Sequence, residues 1–402
     1  MIRGRKDSPK ENAAMPAATH QWLAQQRVHH GLPAAQALRE EVERAGARRV
    51  FVTTTRSISG SAFVASLCGV LGARLAGKFD AIPAHSPRES VIAGARALRE
   101  TQADLVVAIG GGSVIDATKV MLQCVWFGID APEGLAAIVM GRHAGGAEPS
   151  GWDRDPQSLR MIAVPTTLSA AEFSHSAGVT DVQRGLKQSY RHPLAVPVAV
   201  VLDPEATRDT PLELLLSTGM RAMDHAVERW CAAQPQPLAD ALARQAMTEL
   251  AQALPAVRAD PADADARARC QRAMWLSILP QGSGVPVGAS HGIGYILGAA
   301  WGVPHGITSC VMLPAVLAWN APLDRGRQAV VAQTLRGGGS ASAAMRAFVR
   351  ALGLPARLRE LGIARDALPA IAARYDGSGP IATNPRPVAG AAQVLEMLEL
   401  AW

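Results

Sequence analysis

Leu105, Val106, Val107, Ala108 and Ile109 form an unbroken apolar run that stops at Gly110, Gly111 and Gly112 and passes into helix-compatible sequence. A strand that is apolar on both faces must be covered on both sides, which places it in a parallel sheet between helical layers. Residues 161–164 and 198–202 repeat this signature, and residues 49–53 are a shorter β-rich run. Amphipathic helix patterns over residues 34–45 and 90–101 alternate with the strands. The chain therefore begins as an α/β unit.

After Asp203 strand-like runs nearly vanish. Helical patterns follow over residues 212–231, 238–257, 264–277, 341–352 and 389–400. The expected architecture is an α/β dinucleotide-binding domain with a parallel sheet over residues 19–204, then an all-helical substrate or metal-region domain over residues 205–402. The site is expected in the cleft between them. Residues 1–18 carry both charge signs and no hydrophobic signal core, and they read as a mobile tail. Residues 128–156, rich in Gly, Pro and Asp, read as a long surface loop.

Composition narrows the function. The formal charge is +6, but Arg39, Glu40, Glu41, Glu43 and Arg44 show how the signs intermix, so no basic face for nucleic acid is expected. Cys68, Cys124, Cys231, Cys270 and Cys310 are scattered, odd in number and without a CxxC pair, as buried thiols of a reducing compartment would be. No apolar stretch reaches the length of a membrane span. A cytoplasmic location is expected, with a modest pull on anionic small molecules.

Three segments carry chemistry. Residues 110–119 lie between a strand and a helix. Glycines there let the backbone approach a ligand, the helix start favours a phosphate, and Ser113, Asp116 and Lys119 add polar groups. A tight structural turn uses the same glycines. Thr166 and Thr167 follow the third strand and are able to bond phosphate, ribose or amide. His225, on a helical pattern with Arg221 and Asp224, joins His291 and His305 as a set able to hold a metal at an open site.

Taken in order, these segments resemble the iron-containing alcohol dehydrogenase superfamily, over roughly residues 20 to 320. Residues 110–119 are similar to its GGGSxxDxxK pyrophosphate motif, and Val164 to Thr167 to its PTT segment. Lys187 and Asp203-Pro204-Glu205 fall where the family has a Lys and a DPE element. Residues 219–228 are similar to its GMDALxHAIE helix, and residues 290–314 to its HxxxH…PHG region. The resemblance implies the fold shared with dehydroquinate synthase, NAD(H) or NADP(H) as cofactor, and a homodimer. It implies cofactor contacts at Gly110, Gly111, Gly112, Ser113, Asp116, Lys119, Thr166, Thr167, Thr54 and Lys187.

The pattern breaks at two positions. Metal-dependent members carry an Asp ligand where this chain has Arg221, and many have a second His where it has Tyr295. Asp224, about 100° around the helix from His225, reaches a shared site only if the helix is rotated or distorted. Maleylacetate reductases also lack that Asp and as a group work without metal, so the pattern lies closest to their branch. The expected activity is hydride transfer from NAD(P)H to the carbonyl of a small oxoacid such as maleylacetate, or of an aldehyde. His225, Arg221, His305 and Tyr295 are the catalytic candidates, with the histidines preferred over Tyr295 as proton donor. Arg221 would hold a carboxylate or stabilise an alkoxide; the alternative is an ion pair with Asp224 or Glu228. Two other readings stay open. One is a metal-dependent dehydrogenase holding Fe or Zn on His225, His291 and His305. The other is a non-catalytic dinucleotide binder. The stretch Val52 to Ser57 lacks the acid that disfavours a 2′-phosphate, so either cofactor is allowed.

Overall fold

The computed structural model describes residues 19–140, 159–184, 186–324 and 326–402. The expected N-terminal tail and most of the expected surface loop lie outside the described residues. The described start of that loop holds a 3₁₀ helix, Pro132–Ile138.

Six strands form one sheet: β1 (Arg27–His30), β2 (Val50–Thr53), β3 (Leu75–Phe79), β4 (Leu105–Gly110), β5 (Arg160–Pro165) and β8 (Ala199–Leu202). Their order is β1-β8-β5-β4-β2-β3, and every pairing is parallel. The helices between them are α1 (Ala34–Arg44), α2 (Ala62–Leu71), α3 (Arg88–Glu100) and α4 (Gly112–Phe127). The continuous apolar runs are explained by two-sided cover. Val107 and Ile109 of β4 pack with α1 and α2. Their neighbours Val106 and Ala108 point the other way, into the core that α3 and α4 share. A separate antiparallel hairpin, β6 (Ser176–Asp181) and β7 (Leu186–Arg191), packs against α4.

The second part is helical: α5 (Leu212–Trp230), α6 (Pro237–Ala259), α7 (Ala264–Ile278), α8 (Ala289–Trp301) and α9 (His305–Asn320), with further helices such as Ala341–Ala351 and Ala391–Ala401. The α/β unit followed by an all-helical unit is the expected fold class. Among the described residues one helix, His305–Leu323, is long and apolar enough to cross a membrane, contrary to the sequence expectation; 78% of it is buried. Its apolarity has a local cause. It is the central helix of the second part, with α5 and α8 packed against it.

Close approach is built in with glycine. A Cβ on Gly306 would lie 2.6 Å from the carbonyl carbon and oxygen of Ser217, so α9 can cross α5 only because residue 306 has no side chain. That crossing sets His305, at the start of α9, beside α5.

Candidate active site

The order in which strands are added reverses between β2 and β4. β3 lies on one side of β2 and β4 on the other, so the crossover leaves a crevice at the carboxyl ends of these two strands, where ligands bind in such sheets. The glycine turn sits there. A Cβ on Gly110 would meet Val114 at 2.5 Å, one on Gly111 would meet Thr167 at 2.9 Å, and one on Gly112 would meet Ser169 at 3.0 Å. Gly111 caps α4 without a side-chain acceptor. The hydroxyls of Thr54, after β2, and of Thr167, after β5, are buried and have no hydrogen-bond partner. Unmade bonds of this kind are costly unless a ligand completes them. Gly110, Gly111, Gly112, Ser113, Thr54, Thr166 and Thr167 thus gather around one crevice. Thr166 is fixed in it by its amide on the Gly110 carbonyl at 3.1 Å and its carbonyl on the Thr210 hydroxyl at 2.7 Å. Ser113 accepts the His85 amide at 3.2 Å.

Two expected cofactor residues face elsewhere. The Asp116 carboxylate accepts the Gly178 amide at 2.9 Å. The Lys119 ammonium is fully buried and donates to the Ala171 and Ser176 carbonyls at 2.6 and 2.8 Å. Both fasten the segment leading into the hairpin to α4. Burial pushes the Lys119 amine down from its ordinary range, partly offset by Asp116 and Glu172. The phosphate role expected for Lys119 is corrected accordingly: its charge is spent on carbonyls inside the fold.

Lys187 reaches the opposite wall. Its Nζ lies 3.3 Å from His305 Nε2. A Cβ on Gly178, across the hairpin, would lie 2.2 Å from Lys187 Cε, so that glycine is what lets the lysine lie flat toward His305. Sequence reasoning passed over Gly178, because its meaning appears only once β6 and β7 pair. Lys187→Met is expected to lower kcat/KM for anionic substrates about tenfold, the size of one charge-assisted hydrogen bond. Steady-state kinetics on an oxoacid checks this, and an unchanged value assigns the lysine a purely structural role.

On α5, Arg221, Asp224, His225 and Glu228 are all buried. The expectation that Asp224 needs a distorted helix is not met, because His291 of α8 bridges the difference. Its Nδ1 lies 2.7 Å from Glu228 and 3.4 Å from Asp224, while its ring stacks on His225 with centroids 4.7 Å apart. Glu228 is held in turn by the Gly288 and Ser290 amides, both at 2.7 Å, and Asp224 by the Ser290 hydroxyl at 2.9 Å. The ion pair of Arg221 with Asp224 is a long one. Arg221 donates to Ser309 Oγ at 3.2 Å and lies 3.9 Å from Asp224, with its Cζ 5.4 Å from the centre of the Tyr295 ring. Tyr295 is 44% exposed and stands edge-on to His291 and His305.

The three histidines are neutral. Burial pushes His225 well below its ordinary pKa, helped by Arg229 and Arg221. His291 is likewise pushed well down by burial and by Arg221. His305 falls to about 2 through burial, then Lys187 and Arg221. None carries an imidazolium proton at neutral pH, so a histidine acting as proton donor here would have to give up the N–H of a neutral ring.

The carboxyls move the other way, chiefly through burial: Asp224 up to about 6 and Glu228 up to about 8, the latter also raised by Asp224. Each therefore holds a proton in the fold where the unfolded chain has released it. That contribution is complete below about pH 4 and is lost as the pH rises through about 8. Unfolding free energy is expected to fall between pH 7 and 8.5, by at most about 1.4 kcal/mol per pH unit for each proton. Denaturant melts at both pH values check this. Glu228→Gln should flatten the slope, and an unchanged slope assigns it to other groups.

With this geometry in view, the comparisons agree. Residues 25–204 match the iron-containing alcohol dehydrogenase family, and residues 215–402 match the C-terminal part of the Fe-containing alcohol dehydrogenase family. Maleylacetate reductase 2 of Cupriavidus pinatubonensis is 33% identical over 334 residues, covering 82% of each chain. Dehydrogenase FUM7 of Gibberella moniliformis is 34% identical over 307 residues, covering 73% of this chain and 72% of that one. The crystal structure of maleylacetate reductase from Rhizobium sp. aligns with a TM-score of 0.79 at 26% identity, covering 96% of this chain and 99% of that chain. The chain belongs to the iron-containing alcohol dehydrogenase family, on its maleylacetate reductase branch. It is an NAD(P)H-dependent oxidoreductase.

Proposed function

We propose that this enzyme reduces the carbonyl of a small oxoacid, with maleylacetate the first compound to test. One observation carries the reading. Arg221 and Lys187 bring two cations to the wall around His305; among the described residues Arg221 has Asp224 at 3.9 Å and Lys187 is in no ion pair. Fixed cations flanking neutral imidazoles suit an anionic substrate and a carbonyl that becomes an alkoxide.

The crevice residues fit a dinucleotide. The α4 start has no side-chain cap, so its amides suit a pyrophosphate, and the Thr54 and Thr167 hydroxyls have bonds to give. When bound, the reduced nicotinamide supplies the hydride. The chain's part is to orient and polarise. Arg221, steadied by Ser309, holds the carbonyl oxygen or an adjoining carboxylate. Lys187 holds the other end of the substrate. Tyr295, at the mouth of the site with the Arg221 guanidinium over its ring, passes a proton from solvent to the alkoxide oxygen. The neutral histidines shape the pocket and accept hydrogen bonds.

The preferred cofactor on this reading is NADPH. Thr55 and Ser57 share a 2.8 Å hydroxyl bond at the β2 end, and Arg56 beside them is exposed. Asp80, just after β3, accepts the Ser59 hydroxyl at 2.7 Å. NADPH is expected to bind at least as tightly as NADH, and Arg56→Glu to shift the ratio about tenfold toward NADH. Fluorescence titration with both cofactors reads this; a wild-type preference for NADH contradicts it.

The substrate reading is tested by NADPH oxidation with maleylacetate, other keto acids and neutral aldehydes of matched size. Keto acids are expected to win by kcat/KM. Faster turnover of the neutral aldehydes overturns the oxoacid reading.

A further inference from the structure

The family is described by its iron, and the residues of this chain do not fit one. Among the described residues, the group of three potential ligands whose atoms all lie within 4.8 Å of one another is Asp224, Glu228 and His291. Those atoms are already committed. Glu228 accepts two backbone amides and shares a hydrogen bond with His291 Nδ1, and Asp224 accepts the Ser290 hydroxyl. His225, His291 and His305 form no such group, although each keeps a buried ring nitrogen without a partner: Nδ1 of His225, Nε2 of His291 and Nδ1 of His305.

The feature among them is Arg221. It sits one helical turn before His225 on the same face of α5, and its guanidinium reaches Ser309 on α9. A Cβ on Gly294 of α8 would lie 3.8 Å from Arg221 Nη1, so the guanidinium also abuts the helix that carries His291 and Tyr295. A fixed cation is thus wedged where the three histidine-bearing segments meet.

We propose that the Arg221 guanidinium occupies the place of a divalent cation, so that the wild-type chain takes no metal at its histidines and exchange of Arg221 for aspartate lets it take one. The support for such a site is already built. With its proton on Nδ1, shared with Glu228, His291 leaves Nε2 for a ligand bond, the arrangement that steadies metal-binding histidines. An aspartate at 221 would stand four residues before His225, the spacing that sets two ligands on one helix face. It would remove the repelling charge and add the missing anionic ligand at once. The inference is independent of which substrate the enzyme reduces.

The test is metal content and Co²⁺ binding of the full chain, purified without chelator. Wild type is expected to hold less than about 0.1 equivalent, and Arg221→Asp about one equivalent with the visible absorption of four-coordinate cobalt. His225→Ala in the aspartate background should abolish that absorption. Arg221→Ala removes the wedge without adding a ligand and should bind Co²⁺ more weakly than the aspartate variant but above wild type. It keeps the test standing if the aspartate variant fails to fold. Stoichiometric metal in wild type that His225→Ala removes overturns the proposal. So does the absence of any gain in folded Arg221 variants that still bind NADPH.

Discussion

Arg221→Ala is expected to lower kcat/KM for an oxoacid by about 10²- to 10³-fold, the usual effect of deleting one preorganised donor to a developing oxyanion. The guanidinium is buried, its hydrogen bond is to the neutral hydroxyl of Ser309, and its nearest carboxylate stands at 3.9 Å. Asp224 and Glu228 both feel this cation, but Asp224 does not hold it in a close hydrogen-bonded pair, so the guanidinium keeps donors for a substrate oxygen. Removing it should also leave the fold largely intact, because no tight buried ion pair is broken. The split between substrates tells which oxygen it serves. A loss confined to keto acids assigns Arg221 to the carboxylate. Equal losses on keto acids and neutral aldehydes exclude that role and assign it to the carbonyl oxygen. No loss on either would mean that the arginine is structural.

The second large effect is expected at Gly306. Its added Cβ would lie 2.6 Å from the backbone of Ser217, and a backbone in mid-helix cannot step aside as a flexible side chain can. Gly306→Ala should cost about 3 kcal/mol of stability or more by overpacking. Any relief must come from sliding α9 away from α5, which carries His305 and Ser309 with it. A displacement near 1 Å is enough to cost about 10²-fold in rate. Gly338→Ala is the control, since a Cβ there meets nothing within 4 Å. Thermal melts and kcat/KM on both variants check the pair. A Gly306→Ala protein as stable and active as the control would show that the α5–α9 crossing does not position the site.

How far the sequence could be read depended on where burial leaves a trace. β4, β5 and β8 are covered on both faces, so their apolar runs stand out, and the glycine turn after β4 marks the crevice. β1, with sequence RVHH, is an edge strand with no fully buried residue, and β3 is only partly buried; neither carries a pattern. The hairpin of β6 and β7 is polar along β7 and was equally hidden. That omission misled the reading of Asp116 and Lys119, whose partners lie in and just before β6. Arg221, His225, His291 and His305 were legible because each sits in an ordered family segment. The bridge from Glu228 to His291 was not, since it exists only when α8 folds onto α5. The neutrality of the histidines was hidden for the same reason: it arises from burial and from cations brought in by other elements.

The most direct test of the account is turnover by wild-type enzyme dialysed against EDTA, supplied with NADPH and a keto acid, beside a neutral aldehyde of the same length. Undiminished NADPH oxidation with the keto acid and much slower oxidation with the aldehyde are expected, because the positive charge at the site is covalently part of the chain. Activity that vanishes on dialysis and returns with added iron or zinc would contradict this.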